Sequence, residues 1–168
     1  GDFSQGQAIL TFNAKLSNNL GNLLNRSIAL ALKLWGSVKW DVWKVWNNKI
    51  EKYIQLMNNN DLKWSLELAF EYASEINKYV DENAPWKMDI ENPEEKEKLE
   101  NILFILLSNL RKIAIMLLPF FDNKMNELLI RTGVPYNTEL SIHDNILLDP
   151  VSFFISEKWE PLYMRISK

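Results

Sequence analysis

Apolar side chains recur at steps of three and four along most of the chain. With Ser4 as N-cap, Ile9, Phe12, Leu16, Leu20, Leu23, Leu24 and Ala31 predict one long helix to about Leu34. Gly36-Ser37 breaks it. A second helix is predicted from about Trp40 to Met57, with Val42, Val45, Trp46, Ile50, Tyr53, Ile54 and Met57 on one face. Asn58-Asn59-Asn60 reads as a turn. Asp61 caps a third helix with the stripe Leu62, Leu66, Ala69, Phe70, Ala73, Ile76 and Val80, ending near Glu82 because Pro85 disfavours helix at Ala84. Asn92-Pro93-Glu94-Glu95 combines a cap, a first-turn proline and acids against the helix dipole, a strong start for a fourth helix. From Ile102 onward that helix is apolar on most sides (Leu103, Leu106, Leu110, Ile113, Leu117), which places it at the centre. Pro119 ends or kinks it. A fifth helix spans Asn123 to Arg131, stopped by Thr132-Gly133, and residues 134–168 read as loop with one short helical piece. No alternating strand pair is evident. The predicted class is all-α: an antiparallel bundle of about five helices with a loop and helix tail. No repeat or boundary divides residues 1–168, which read as one domain.

Composition removes many functions. A chain of 168 residues with 47% hydrophobic and 24% charged positions is globular and needs no staple to hold its core. It has no cysteine and a single histidine, His143, which excludes thiol chemistry, zinc ribbons and His-rich metal sites. With five glycines and neither GxGxxG nor GxxxxGK[ST], a phosphate-cradling nucleotide fold is not expected. The strongly apolar run from Ile113 to Phe121 is broken by Pro119 and is far short of the ~20 residues that cross a bilayer. No membrane segment or signal peptide is read, and the expected location is the cytoplasm. The first residue is Gly1 rather than Met, which reads as processing or as a piece of a longer chain. The acids near Glu94 are helix-dipole partners and His143 a surface residue, so no catalytic group is assigned.

Three features carry binding chemistry. Asn18, Asn22 and Arg26 are spaced i, i+4, i+8, and successive steps of four drift by only about 40°, so they form one row on a helix. Amides and a guanidinium fork are the groups that hydrogen-bond to base edges. The alternative is a solvated, Asn-rich helix face. Ala84-Pro85-Trp86 follows the third helix, where Pro85 stiffens a loop that offers the Trp86 indole as a stacking platform for an unpaired base, or folds it onto the core. The segment with Trp35, Trp40, Trp43 and Trp46 carries +4 over residues 26–52, in a chain whose net charge is −3. Lys39 and Lys44 are auxiliary phosphate contacts at most, because an acidic total argues against a large phosphate footprint.

These residues also match a family. Gly1-Asp2-Phe3-Ser4, Phe12-Asn13-Ala14-Lys15-Leu16 and Asn18-Asn19-Leu20-Gly21-Asn22-Leu23-Leu24-Asn25-Arg26 resemble the first helix of the anticodon-binding domain of methionyl-tRNA synthetases. Tyr79-Val80-Asp81-Glu82-Asn83-Ala84-Pro85-Trp86 resembles its Pro-Trp loop. Leu118-Pro119-Phe120-Phe121 resembles its Leu-Pro-Phe-Met-Pro element, with Asp122 at the second proline, and Pro161 to Ile166 resembles its closing Leu-Phe-Pro-Arg-Ile, with Tyr163-Met164 for Phe-Pro. The blocks occur in order over nearly the whole chain.

The resemblance implies a bundle that binds the CAU anticodon of methionine and initiator tRNAs. Asn18, Asn22 and Arg26 bond anticodon bases, and Trp86, presented by Pro85, stacks on the first, a cytosine. It implies a preceding Rossmann catalytic domain in the same parent chain, a methionine–tRNA ligase using ATP, Mg²⁺ and methionine. None of these cofactors is expected to bind residues 1–168, which should be catalytically silent. Partners other than the anticodon loop and that domain, DNA and membranes included, are not implied. Two alternatives remain: the anticodon domain of a leucine- or valine-type class I synthetase, and a helical protein-interaction module.

Overall fold

The computed structural model describes residues 5–34, 37–39, 47–148 and 152–155. Helix α1 (Gln5–Lys15) runs into a π-helical turn (Leu16–Gly21) and continues as α2 (Asn22–Leu32). Then come β1 (Ser37–Lys39), α3 (Asn47–Asn58), α4 (Leu62–Asn83), α5 (Pro93–Leu117), α6 (Asp122–Arg131), α7 (Ile142–Leu147) and β2 (Ser152–Phe154). The class is all-α, as the periodicity predicts. Among the described residues the structure adds the π turn and a three-residue antiparallel ribbon in which Ser37, Val38 and Lys39 face Phe154, Phe153 and Ser152. Runs this short carry too little alternation to be seen in sequence. The predicted start of the second helix, near Trp40, lies outside the described residues.

The helix ends follow their local chemistry. Asn92 Oδ1 accepts from the backbone N–H of Glu94 at 3.0 Å, and Pro93 takes the first helical position. Asp61 accepts from Trp64 N–H at the head of α4. At its tail Ala84 turns left-handed, at φ 42°, a conformation that disfavours a Cβ. That reversal lets Pro85–Lys87 form a 3₁₀ turn instead of a further turn of α4.

Helix α5 is the axis of the molecule and touches α2, α4, α6, α7 and both strands. Every residue from Ile102 to Leu117 is buried. Ile102, Leu103, Leu106, Leu110 and Ile113 behave as predicted. Arg111 and Lys112, which look like solvent-facing residues in the sequence, are also buried. They donate to the Asn145 and Ile146 carbonyls at the end of α7, where a helix dipole favours cations. Leu62 departs from the predicted stripe: it is 54% exposed, because it lies in the first turn of α4, beyond the helices that cover Leu66.

Lys49 on α3 is only 11% exposed in its side chain and bonds Glu71 at 2.6 Å and Glu75 at 3.0 Å on α4. Burial works against its charge, but the two carboxylates outweigh it and raise its pKa. The bond from Lys49 holds the Glu71 carboxyl below the usual range. A lowered folded pKa stabilises fully above the unfolded value and fades as pH falls through the folded one. Lys49→Met is therefore expected to cost about 1 kcal/mol near neutrality, allowing for screening of the exposed carboxylates. The gap in melting temperature to the parent should shrink as pH drops below 4.5. Thermal unfolding at a series of pH values checks this, and a gap that widens in acid contradicts it.

Candidate nucleic-acid interface

The side chains of the predicted row stand in one open groove of about 790 Å³ between the first helix and α4. Asn18, Asn22 and Arg26 are all exposed and line it from the first-helix side. The alignment survives although Asn18 lies in the π turn, where one extra residue per turn widens the helix. The widening brings Asn19 to the same groove, and Asn25 joins it from α2. Leu16, Leu20, Leu23, Leu24 and Ile28 meanwhile stay fully buried.

The opposite wall is α4, with Ser74, Asn77, Lys78, Asp81 and Glu82. Inspection of the sequence misses this wall. Its signal is there, as a polar stripe at 74, 77, 78 and 81 on the face away from Ala73, Ile76 and Val80, but periodicity cannot tell which polar stripe meets which. The walls are joined directly. Asn77 Nδ2 donates to the Asn19 carbonyl inside the π turn at 2.7 Å. Asn19 in turn reaches Ser74 Oγ at 3.5 Å.

At the end of the groove the left-handed Ala84 turns the chain back. Pro85 is buried and anchors the turn, while the Trp86 indole stays 41% exposed. The Arg26 guanidinium lies 4.6 Å from the centre of the indole ring, a cation–π contact. Its Nη2 is 3.6 Å from Asp81 Oδ1. Two residues sixty positions apart, selected separately in the sequence, thus form one unit. Arg26 and Lys78 are matched by Asp81 and Glu82, so this groove is not a phosphate-attracting field; it offers amides, one hydroxyl, a guanidinium and an aromatic face. Lys39 sits in β1 opposite Ser152, and Lys44 lies outside the described residues. His143, Glu94 and Glu97 are exposed, Glu95 and Glu100 are half-buried, and none of them lines the groove.

Among solved structures, the free form of Mycobacterium tuberculosis methionyl-tRNA synthetase superposes with a TM-score of 0.81 at 17% identity, over 99% of this chain and 35% of that one. The same enzyme in complex with methionyl-adenylate gives 0.79 over 97% and 34%. These likenesses concern the fold. Among curated sequences, the methionine–tRNA ligase of Rickettsia conorii is 32% identical over 156 residues, covering 85% of this chain and 30% of that protein. The methionine–tRNA ligase of Bacillus subtilis is 29% identical over 178 residues, covering 99% and 26%. This chain belongs to the methionyl-tRNA synthetase family. No protein-family model matches it. It spans about a third or less of the length of the synthetases it matches. Among the described residues, no helix is long and apolar enough to cross a membrane, and no group of three or more His, Asp or Glu side chains is placed to hold a metal ion.

Proposed function

We propose that residues 1–168 are the anticodon-binding domain of a cytoplasmic methionine–tRNA ligase, and that the groove reads the CAU anticodon of methionine tRNAs. The observation that carries this is the convergence of Asn18, Asn22 and Arg26 on one open groove, with the Trp86 indole against the Arg26 guanidinium at its end. A base unstacked from the loop lays its face on the indole, which Pro85 holds outward, and its edge then lies beside the guanidinium and the amides. Lys39 and Lys44 serve as auxiliary contacts to the loop backbone. The partners are the tRNA anticodon loop and the catalytic domain of the same parent chain, with neither DNA nor a membrane involved.

ATP, Mg²⁺ and methionine are the cofactor and substrates expected of the parent ligase, and the sequence of this chain carries no glycine-rich phosphate loop. In this reading they belong to the catalytic domain, and this chain's share of aminoacylation is to select the tRNA and hold it in register.

The test is binding of a CAU anticodon stem-loop against loops changed at one anticodon base. A clear preference for CAU is expected. Preference for another anticodon points to a sibling synthetase, and indifference to RNA points to a protein-interaction module.

A further inference from the structure

The amides that line the groove are not equivalent. Asn18 and Asn22 are exposed, and each can turn either its oxygen or its nitrogen toward a ligand. Asn77 cannot. Its Nδ2 has two hydrogens, and both are committed to backbone carbonyls: that of Asn19 across the groove at 2.7 Å, and that of Ala73 one turn back at 3.2 Å. Carbonyl oxygens accept only, so the amide orientation is dictated and a flip would set oxygen against oxygen. Among the described residues no hydrogen bond uses Asn77 Oδ1. The carboxamide is half-buried in the groove wall, in the same groove as Asn22 and Arg26. Its remaining polar atom is therefore a pure acceptor with a fixed direction.

A fixed acceptor distinguishes bases by one group. Cytosine carries an amino group at C4 and adenine one at C6, and both donate. Uracil carries O4 at the corresponding place, which would put two acceptors face to face. We propose that Asn77 is a specificity-determining residue of the groove, its Oδ1 accepting a hydrogen bond from the exocyclic amino group of an anticodon cytosine or adenine. This rests on the anticodon reading above and adds the atom that enforces it.

Asn77 also braces the π turn, so loss of affinity in a variant is not by itself informative. The test is a double-mutant cycle. Wild-type and Asn77→Ala chains are titrated with the CAU stem-loop and with loops changed by single atoms. One arm replaces cytidine by its 4-deamino analogue or by uridine, the other adenosine by its 6-deamino analogue or by inosine. Circular dichroism melts accompany both proteins. For one of the two bases, removal of the amino group is expected to weaken wild-type binding about tenfold, with the carbonyl-bearing base weaker still. On Asn77→Ala the same removal should cost less than about twofold. The wild-type order amino, deamino, carbonyl needs no variant and tests the acceptor even if Asn77→Ala unfolds. The proposal is overturned if the wild type ignores amino removal at both bases. It is overturned equally if Asn77→Ala weakens every loop by one factor and leaves the amino penalty intact. A wild-type chain that does not prefer CAU at all removes the anticodon reading and this proposal together, an outcome distinct from the other two.

Discussion

Leu106→Ala is expected to destabilise the chain by ~2–5 kcal/mol, the range for deleting a fully buried leucine. Leu106 is 1% exposed, at the middle of α5. The cost of such a truncation depends on how far the neighbours can collapse into the cavity. Here they cannot move far. The side chain sits on a 25-residue helix held on several sides at once, by α2, α4, α6 and α7. Leu103, Leu107 and Leu110 are themselves fully buried and tied to the same backbone. The upper half of the range is therefore expected. For a domain of this size each kcal/mol lowers the melting temperature by roughly 2–4 °C. Chemical or thermal unfolding measures it. A loss below about 1 kcal/mol would mean that α5 is not the central helix.

Trp86→Ala is expected to weaken binding of the CAU stem-loop by ~1–3 kcal/mol, or roughly five- to 150-fold. The indole is 41% exposed and anchored through buried Pro85, so truncation removes a platform and leaves the core intact. Stacking releases no counterions, and the loss should hardly vary with salt. Arg26 behaves differently. Its guanidinium is shared between the indole and Asp81. Arg26→Ala and Asn22→Ala should narrow the gap between CAU and variant loops, because their proposed bonds are to base edges. Lys39→Ala and Lys44→Ala should weaken all loops alike, each true phosphate contact flattening the log–log salt slope by roughly 0.7 to 1. A salt titration of the five variants separates these effects. Intact CAU affinity in Trp86→Ala, with binding abolished in the lysine variants, would reduce the chain to a weak electrostatic RNA binder.

Some of this architecture is legible residue by residue, because its causes are local. Asn92-Pro93 starts α5 where the cap chemistry requires, and Pro85 stops α4 before the residue it restricts. The run after Ile102 is buried because it is apolar on most sides, with only Ser108, Asn109, Arg111 and Lys112 to interrupt it. Asn18, Asn22 and Arg26 share a face because a helix repeats every 3.6 residues or so, a rule the π turn stretches without breaking. The proline beside Trp86 marks the turn, but whether the indole faces out or folds onto the core is not legible beside it.

What the sequence does not contain is the meeting of surfaces. The stripe Ser74, Asn77, Asp81 is as polar as any solvated helix face, and only the crossing of α4 over the π turn makes it the second wall of the groove. The Arg26–Trp86 contact joins positions whose separation along the chain carries no signal. Arg111 and Lys112 look like surface residues until α7 supplies carbonyls for them, and Leu62 looks like core until no neighbour covers it. The sequence by itself determined the all-α class, the helix ends set by Asp61, Pro85 and Asn92-Pro93, the central position of α5 and the polar residue types along the first helix. Tertiary structure decided which of those residues face one another, because that depends on the crossing of elements far apart in sequence, and hydrophobic periodicity says which side of a helix is inside but not what lies across from its outside.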